Sequence, residues 1–189
     1  MSPSNRIGWI TLLGLATLAL VLAIAARCQA GSPTLIERLI AAQGPLASRA
    51  EEPVDARELA EAIASIPRVN RQWAALVLTV AAHESALRSR IARGDCRPKE
   101  CDGGRAWGLY QGHRNEGNAA VWGSPDVAVQ TLEAARMLRA VFYMCNGPGS
   151  LSPDWTARTL SAYAGQRCDA SWPGLSDRVQ TFERIRRGL

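Results

Sequence analysis

The sequence is almost without lysine: Lys99 is the only one, so nearly all of its positive charge is arginine. Runs that alternate Val, Ile, Thr and aromatics with polar residues are nearly missing, which removes the usual signature of strands. No stripe of arginines interleaved with aromatics occurs, so nucleic acid is not an expected partner. A Gly-rich phosphate loop, a Ser-His-Asp order and an H-E-x-x-H helix are all absent; His83-Glu84 lacks the second histidine. The C-x4-C spacing of Cys96 and Cys101 is loose for zinc, and no C-x2-C or histidine pair supports one. No metal or cofactor is expected, and repeats and low-complexity tracts are lacking.

What is present fits one compact domain with additional terminal segments. The 189 residues are 47% apolar and 21% charged, enough for a core and too hydrophobic for wholesale disorder. Alanine and leucine dominate the apolar stretches, so the expected fold class is mostly α. The net charge of +5 suits an anionic membrane or polymer, or simply a soluble basic surface.

Ile7 to Ala26 is a run of 20 residues without a charge. As a helix it would span roughly 30 Å, a hydrocarbon core's thickness. Arg6 before it favours a cytoplasmic N-terminus, and Trp9 suits the headgroup level. Residues 1–30 are therefore expected to be a transmembrane anchor or signal segment that carries the rest across a membrane. The run is long for a cleaved signal, which favours an anchor in the inner membrane with the domain in the periplasm or outside the cell. A small residue at Ala30, before Gly31, keeps cleavage and secretion open.

The cysteines agree with export. Cys96, Cys101, Cys145 and Cys168 form an even set beyond Cys28, as expected for disulfides in a translocated domain. Sequence proximity pairs Cys96 with Cys101 and Cys145 with Cys168, although other connectivities are open. Cys28 is the odd thiol, inert in the membrane or a partner in a redox rearrangement.

Residues 31–56, with Pro33, Pro45 and Pro53, read as a linker holding a helical turn or two near Leu35–Ala42. The domain is placed at 57–189. A helix from Arg57 to Ile66 should stop at Pro67, and Asn70 should cap a longer one from Arg71 to Ala92. A loop follows from Gly94 to Arg105. Further helices are expected at Val127–Cys145, Trp155–Ala164 and Asp177–Arg187.

The helix through Glu84 carries the most information. Trp73, Val77, Val80, Glu84, Leu87 and Ile91 share one face at 100° per residue, which puts a carboxylate within an apolar stripe. Glutamate is rarely buried unless paired or used. Desolvation would favour its protonated form, as a general acid requires. A surface pairing with Arg88 at i+4 is the plainer alternative.

Glu84-Ser85 on a helix, then Gly108-Leu109-Tyr110-Gln111, then Ala162-Tyr163-Ala164-Gly165, resembles the lytic transglycosylase branch (SLT-type) of the lysozyme-like superfamily, which includes goose-type lysozymes. The resemblance covers residues 57–187 and implies a two-lobed helical domain around a glycan-binding groove. It implies Glu84 as sole catalytic acid, Ser85 as an orienting neighbour, Gln111 lining the groove and Tyr163 approaching the glutamate. Gly108 and Gly165 match glycines of close backbone approach, and Leu109 and Tyr110 fall within the groove motif. The family usually has Met at the position of Tyr110, and Ala164 stands where an Asn is usual.

The implied reaction cleaves the bond between N-acetylmuramic acid and N-acetylglucosamine in peptidoglycan, leaving a 1,6-anhydro sugar. The hydrolytic alternative, a muramidase, needs a second carboxylate, for which Asp95, Glu100 and Asp102 stand in the loop after Glu84. A lysozyme-fold scaffold without turnover is the third reading. Trp107, beside the G-L-x-Q motif, has a claim to the groove, whereas Trp122, Trp155 and Trp172 default to core packing. His83 and His113 read as surface or hydrogen-bonded residues.

Overall fold

The structure, a computed structural model, describes residues 33–113, 123–147, 152–165 and 167–189. The expected membrane segment 7–26, Cys28 and Trp122 lie outside the described residues, as does the Glu100 side chain. Among the described residues no helix is long and apolar enough to cross a membrane.

The described chain is mostly α-helical. In order, the helices are α1 (Leu35–Ala47), α2 (Ala56–Ala64), α3 (Arg71–Ser85), α4 (Ser89–Ala92), α5 (Val127–Asn146), α6 (Trp155–Gly165) and α7 (Leu175–Gly188). Two 3-10 turns, Pro98–Glu100 and Asp102–Gly104, precede a short antiparallel pair, β1 (Ala106–Trp107) and β2 (Gly112–His113).

The segment expected to be a linker is instead largely part of the domain, because the chain divides between Pro33 and Thr34. Thr34 and Glu37 form a reciprocal capping box that starts α1. Leu39 on this helix is fully buried in the main core. Gln43, also buried, donates to the carbonyls of Leu39 and Ala56 at 3.2 and 2.8 Å, fastening α1 to the start of α2. The prolines suggested a linker, yet Pro45 lies inside α1 near its C-terminal end, where its missing N–H and its ring weaken the turn before it and leave the earlier helix intact.

α3 is the central helix. Asn70 caps it through Trp73 N–H at 3.0 Å, as its sequence position foretold. Ala74 to Ala81 is buried without interruption, which explains why the helix is apolar nearly all round. It packs on α7, while α5 packs on α2 and α6. Edge-to-face contacts run from Trp73 to Phe142, Phe142 to Trp155 and Trp155 to Phe182, at 5.6, 5.7 and 5.8 Å between centroids. Trp155 is thus a core residue joining α5, α6 and α7.

The helix expected to run to Ala92 ends at Ser85. Ala86 and Leu87 both adopt left-handed backbone, at φ 52° and 57°, which costs about 1–2 kcal/mol per non-glycine residue. Ser85 Oγ accepts from Leu87 N–H at 3.2 Å and donates to Ala81 carbonyl at 2.9 Å, stabilising that break. Beyond it, Leu87 carbonyl accepts from Val54 N–H, and Ser89 N–H donates to Glu52 carbonyl, both at 2.7 Å. Backbone groups released by the break therefore find partners in the strand-like segment 52–54.

A second, smaller cluster of Ile91, Cys101 and Ala106, with Cys96 against it, supports the loop after α4. Cys96 and Cys101 are bonded with Cα atoms 6.1 Å apart, and Cys145 and Cys168 with theirs 5.2 Å apart.

Candidate functional site

The G-L-Y-Q motif is the turn between β1 and β2, and it is folded inward. Gly108 stands at φ +71°, where a Cβ would lie 2.4 Å from Gln130 Oε1, so both backbone and space demand glycine. Leu109 and Tyr110 are fully buried. Leu109 N–H donates to Gln130 Oε1 at 2.6 Å, and the Tyr110 hydroxyl meets Thr131 Oγ1 at 2.9 Å. Burial pushes the Tyr110 phenol well above its ordinary range, partly offset by Thr131. The turn is therefore a plug in the core: Gly108, Leu109 and Tyr110 position the motif, and only Gln111 reaches the cleft. Gln111 holds φ +50°, and its Nε2 donates to Gly108 carbonyl at 3.0 Å.

That cleft, of about 430 Å³, is lined by Glu84, Asp102, Ala106, Gln111, Gly112, His113, Met137, Tyr163 and Ala164. Residues 84, 111 and 163 of three separate motifs thus face one space. Tyr163 is half-buried on α6 and donates its hydroxyl to Tyr110 carbonyl at 2.9 Å, joining the second motif to the third. Burial, reinforced by the nearby Glu84 charge, pushes the Tyr163 phenol far up, so it stays protonated. Gly165 lets α6 approach Trp172, since a Cβ there would sit 3.0 Å from the indole Cδ1.

Glu84 is not the isolated acid that its apolar stripe suggested. Arg178 of α7 donates from Nη1 to Glu84 Oε1 at 2.5 Å, and their side chains are only 8% and 18% exposed. The partner is thus Arg178, 94 residues away, in place of Arg88. The Arg178 guanidinium also lies over the Trp172 ring, 4.7 Å from its centroid, which gives that tryptophan its place. Alongside, His83 Nε2 meets Thr181 Oγ1 at 3.0 Å. Burial lowers the His83 pKa, Arg178 adds to this and Asp177 opposes it, which favours a neutral ring.

Several sequence-expected site residues fall elsewhere. Ser85 is buried, and its hydroxyl is bonded to the backbone of the helix end, so it does not line the cleft. Trp107 lies against Gly94, where a Cβ would come within 2.2 Å of the indole, and it does not line the cleft. Of the three loop acids, Asp102 reaches the cleft; Asp95 lines a separate charged hollow with Glu51, Glu52, Arg88, Arg90 and Arg93. Asp102 is held by exposed ion pairs to His113 at 3.4 Å and Arg105 at 3.5 Å. Among the described residues no group of His, Cys, Asp and Glu gathers as a metal site.

Two residues were missed in the sequence. Arg178 is one of six charged positions spaced through α7, and nothing local marks it. Gln130 is fully buried and ties three segments together, through Leu109 N–H and the carbonyls of Ala92 and Ser124. Its place on the apolar side of a periodic helix was the available signal. No family model, curated protein or solved structure matches the chain.

Proposed function

We propose that the protein is a lytic transglycosylase that cleaves peptidoglycan strands, with Glu84 as its acid and base. The observation that carries this reading is the gathering of Glu84, Gln111 and Tyr163, from α3, the hairpin turn and α6, around one cleft. The cleft's size is within the range of sites that hold small-molecule ligands or their equivalents, about 300–1,000 Å³. A lysozyme-like arrangement, with a helical wall facing a loop-and-hairpin wall, belongs to the same proposal.

In the reaction, Glu84, paired with Arg178 at rest, first takes up a proton and then gives it to the oxygen joining N-acetylmuramic acid to N-acetylglucosamine. The muramic C1–O bond breaks, and the substrate's own acetamido group stabilises the positive charge at C1. The Glu84 carboxylate then takes the proton of the muramic 6-hydroxyl as that oxygen bonds to C1. A 1,6-anhydro sugar results and no water is consumed. Proximity of the 6-hydroxyl to C1 supplies much of the advantage. Tyr163 remains a neutral hydroxyl that fixes the hairpin turn beside the acid.

Hydrolysis is the second reading, favoured by Asp102, which lines the same cleft as a second carboxylate. Anchorage through residues 7–26, with the domain on the far side of the membrane, is also proposed. The two bonded cysteine pairs support an oxidising compartment.

Incubating the full chain and its Glu84→Gln variant with purified peptidoglycan, and weighing soluble products by mass spectrometry, tests the reading. Fragments ending in 1,6-anhydro-muramic acid from the unaltered chain alone are expected. Products one water heavier would replace transglycosylation by hydrolysis. No release from folded protein would leave a glycan-binding scaffold.

A further inference from the structure

We infer that Arg178 is a positioning residue for Glu84, held in place by Trp172, and this rests on the catalytic reading of Glu84. The geometry has three parts. First, Arg178 grips one carboxylate oxygen, Oε1, at 2.5 Å, which limits rotation of a side chain that stands just before a helix break. Second, its guanidinium is fixed from behind by the Trp172 ring at 4.7 Å. Third, Trp172 is itself seated against Gly165 and Gly174, with a Cβ at Gly165 only 3.0 Å from its Cδ1. The grip thus runs from a rigid backbone through a ring and a guanidinium to the acid.

A surface ion pair would not do this, since exposed side chains exchange partners in water. Here both partners are largely out of water, and Arg178 does not line the cleft. It therefore acts on the reaction through Glu84 and not on the sugar. The other charged or titratable groups around the carboxylate are His83 on α3, Tyr163 on α6, Asp177 on α7, and Asp102 and His113 across the cleft. Arg178 is the group among the described contacts that bonds to Glu84 itself.

The test compares the full chain with its Arg178→Met and Arg178→Lys variants on peptidoglycan glycan strands of defined length. A loss of positioning can cost about 100-fold, so Arg178→Met should lower kcat by about that factor, with KM unchanged. Arg178→Lys retains a cation above Trp172 and should recover part of the loss, but not all, because lysine lacks the planar fork. A rise in KM at constant kcat in either variant would overturn the inference, as would unchanged kinetics in both. Should Arg178→Met fail to fold, Arg178→Lys decides alone: a reduced kcat at constant KM supports the inference, and unaltered kcat sinks it. Turnover in the unaltered chain with unaltered kcat in the variants sinks this inference alone and leaves the catalytic reading standing. Without turnover in the unaltered chain the catalytic reading fails, and the positioning role falls with it.

Discussion

The two walls of the cleft are built differently. The helical wall presents Glu84 and Tyr163 from α3 and α6, within the main core, and Arg178 of α7 braces it from behind. The other wall, from Asp102 to His113, shares that core through Leu109 and Tyr110 at its turn, while its Asp102 end rests on a cluster of three buried residues, a disulfide and a two-stranded pair of two residues each. Its polar side chains at either end are exposed: Asp102 is 52% and His113 61% accessible. One wall is held by packing throughout; the other is packed at its turn and held at its Asp102 end by covalent and backbone ties. Chemistry that needs one fixed acid is matched to the first, and contacts that can shift with ligand are matched to the second.

The sharpest way to break this contrast is to remove a carboxylate from each wall. Glu84→Gln should lower turnover by about 10³-fold, within the range of a lost acid–base group, with the fold retained. Asp102→Asn should stay within about tenfold of the unaltered chain by the same measure. Equal losses, read from rates of glycan release, would make the walls equal partners and favour hydrolysis.

Stability sharpens it next. Gln130→Leu strands Leu109 N–H and two carbonyls in the interior and should cost about 3 kcal/mol by urea denaturation. The disulfides should separate by loop length. Removing Cys145–Cys168, at a sequence separation of 23, should cost about 3 kcal/mol, against about 2 for Cys96–Cys101, at a separation of 5. The smaller loss should nonetheless be the one that alters glycan binding, because it loosens the wall carrying Asp102. Affinity unchanged in Cys96→Ser/Cys101→Ser would contradict the proposed division.

The smallest effect is in pH. The His83 pKa is lowered on folding from 6.5, so the unfolded chain binds the proton first as pH falls. Stability should therefore decline as pH drops through 6.5 and below. His83→Gln should flatten that slope in denaturation curves taken at pH 5 and pH 7; a slope that persists would assign it to other groups.

Helix positions and caps were legible because they are local: Asn70 at α3, the periodicity of α5, and both cysteine pairs on proximity. The break after Ser85 was not, since Ala86 and Leu87 are ordinary helix formers forced into left-handed backbone by the bonding of the segment 52–54. Helical phase alone therefore carried Leu87 and Ile91 onto a face that the chain abandons. Leu109 and Tyr110 misled for a related reason. Hairpin turns usually point outward, and only Gln130 and Thr131, some twenty residues later, reveal that this one points in. The site itself was half legible: Glu84, Gln111 and Tyr163 meet in the cleft, whereas Arg178, Met137 and the role of Trp172 depend on long-range packing.

The span between Glu84 and Arg178 has a consequence for biosynthesis. A ribosome finishes α3 long before it reaches α7, so the carboxylate emerges with its guanidinium partner still untranslated. Chains stalled or clipped after residue 165 but ahead of residue 178 would hold every motif residue, yet lack the brace. The centre is completed only by a helix made after all three motifs.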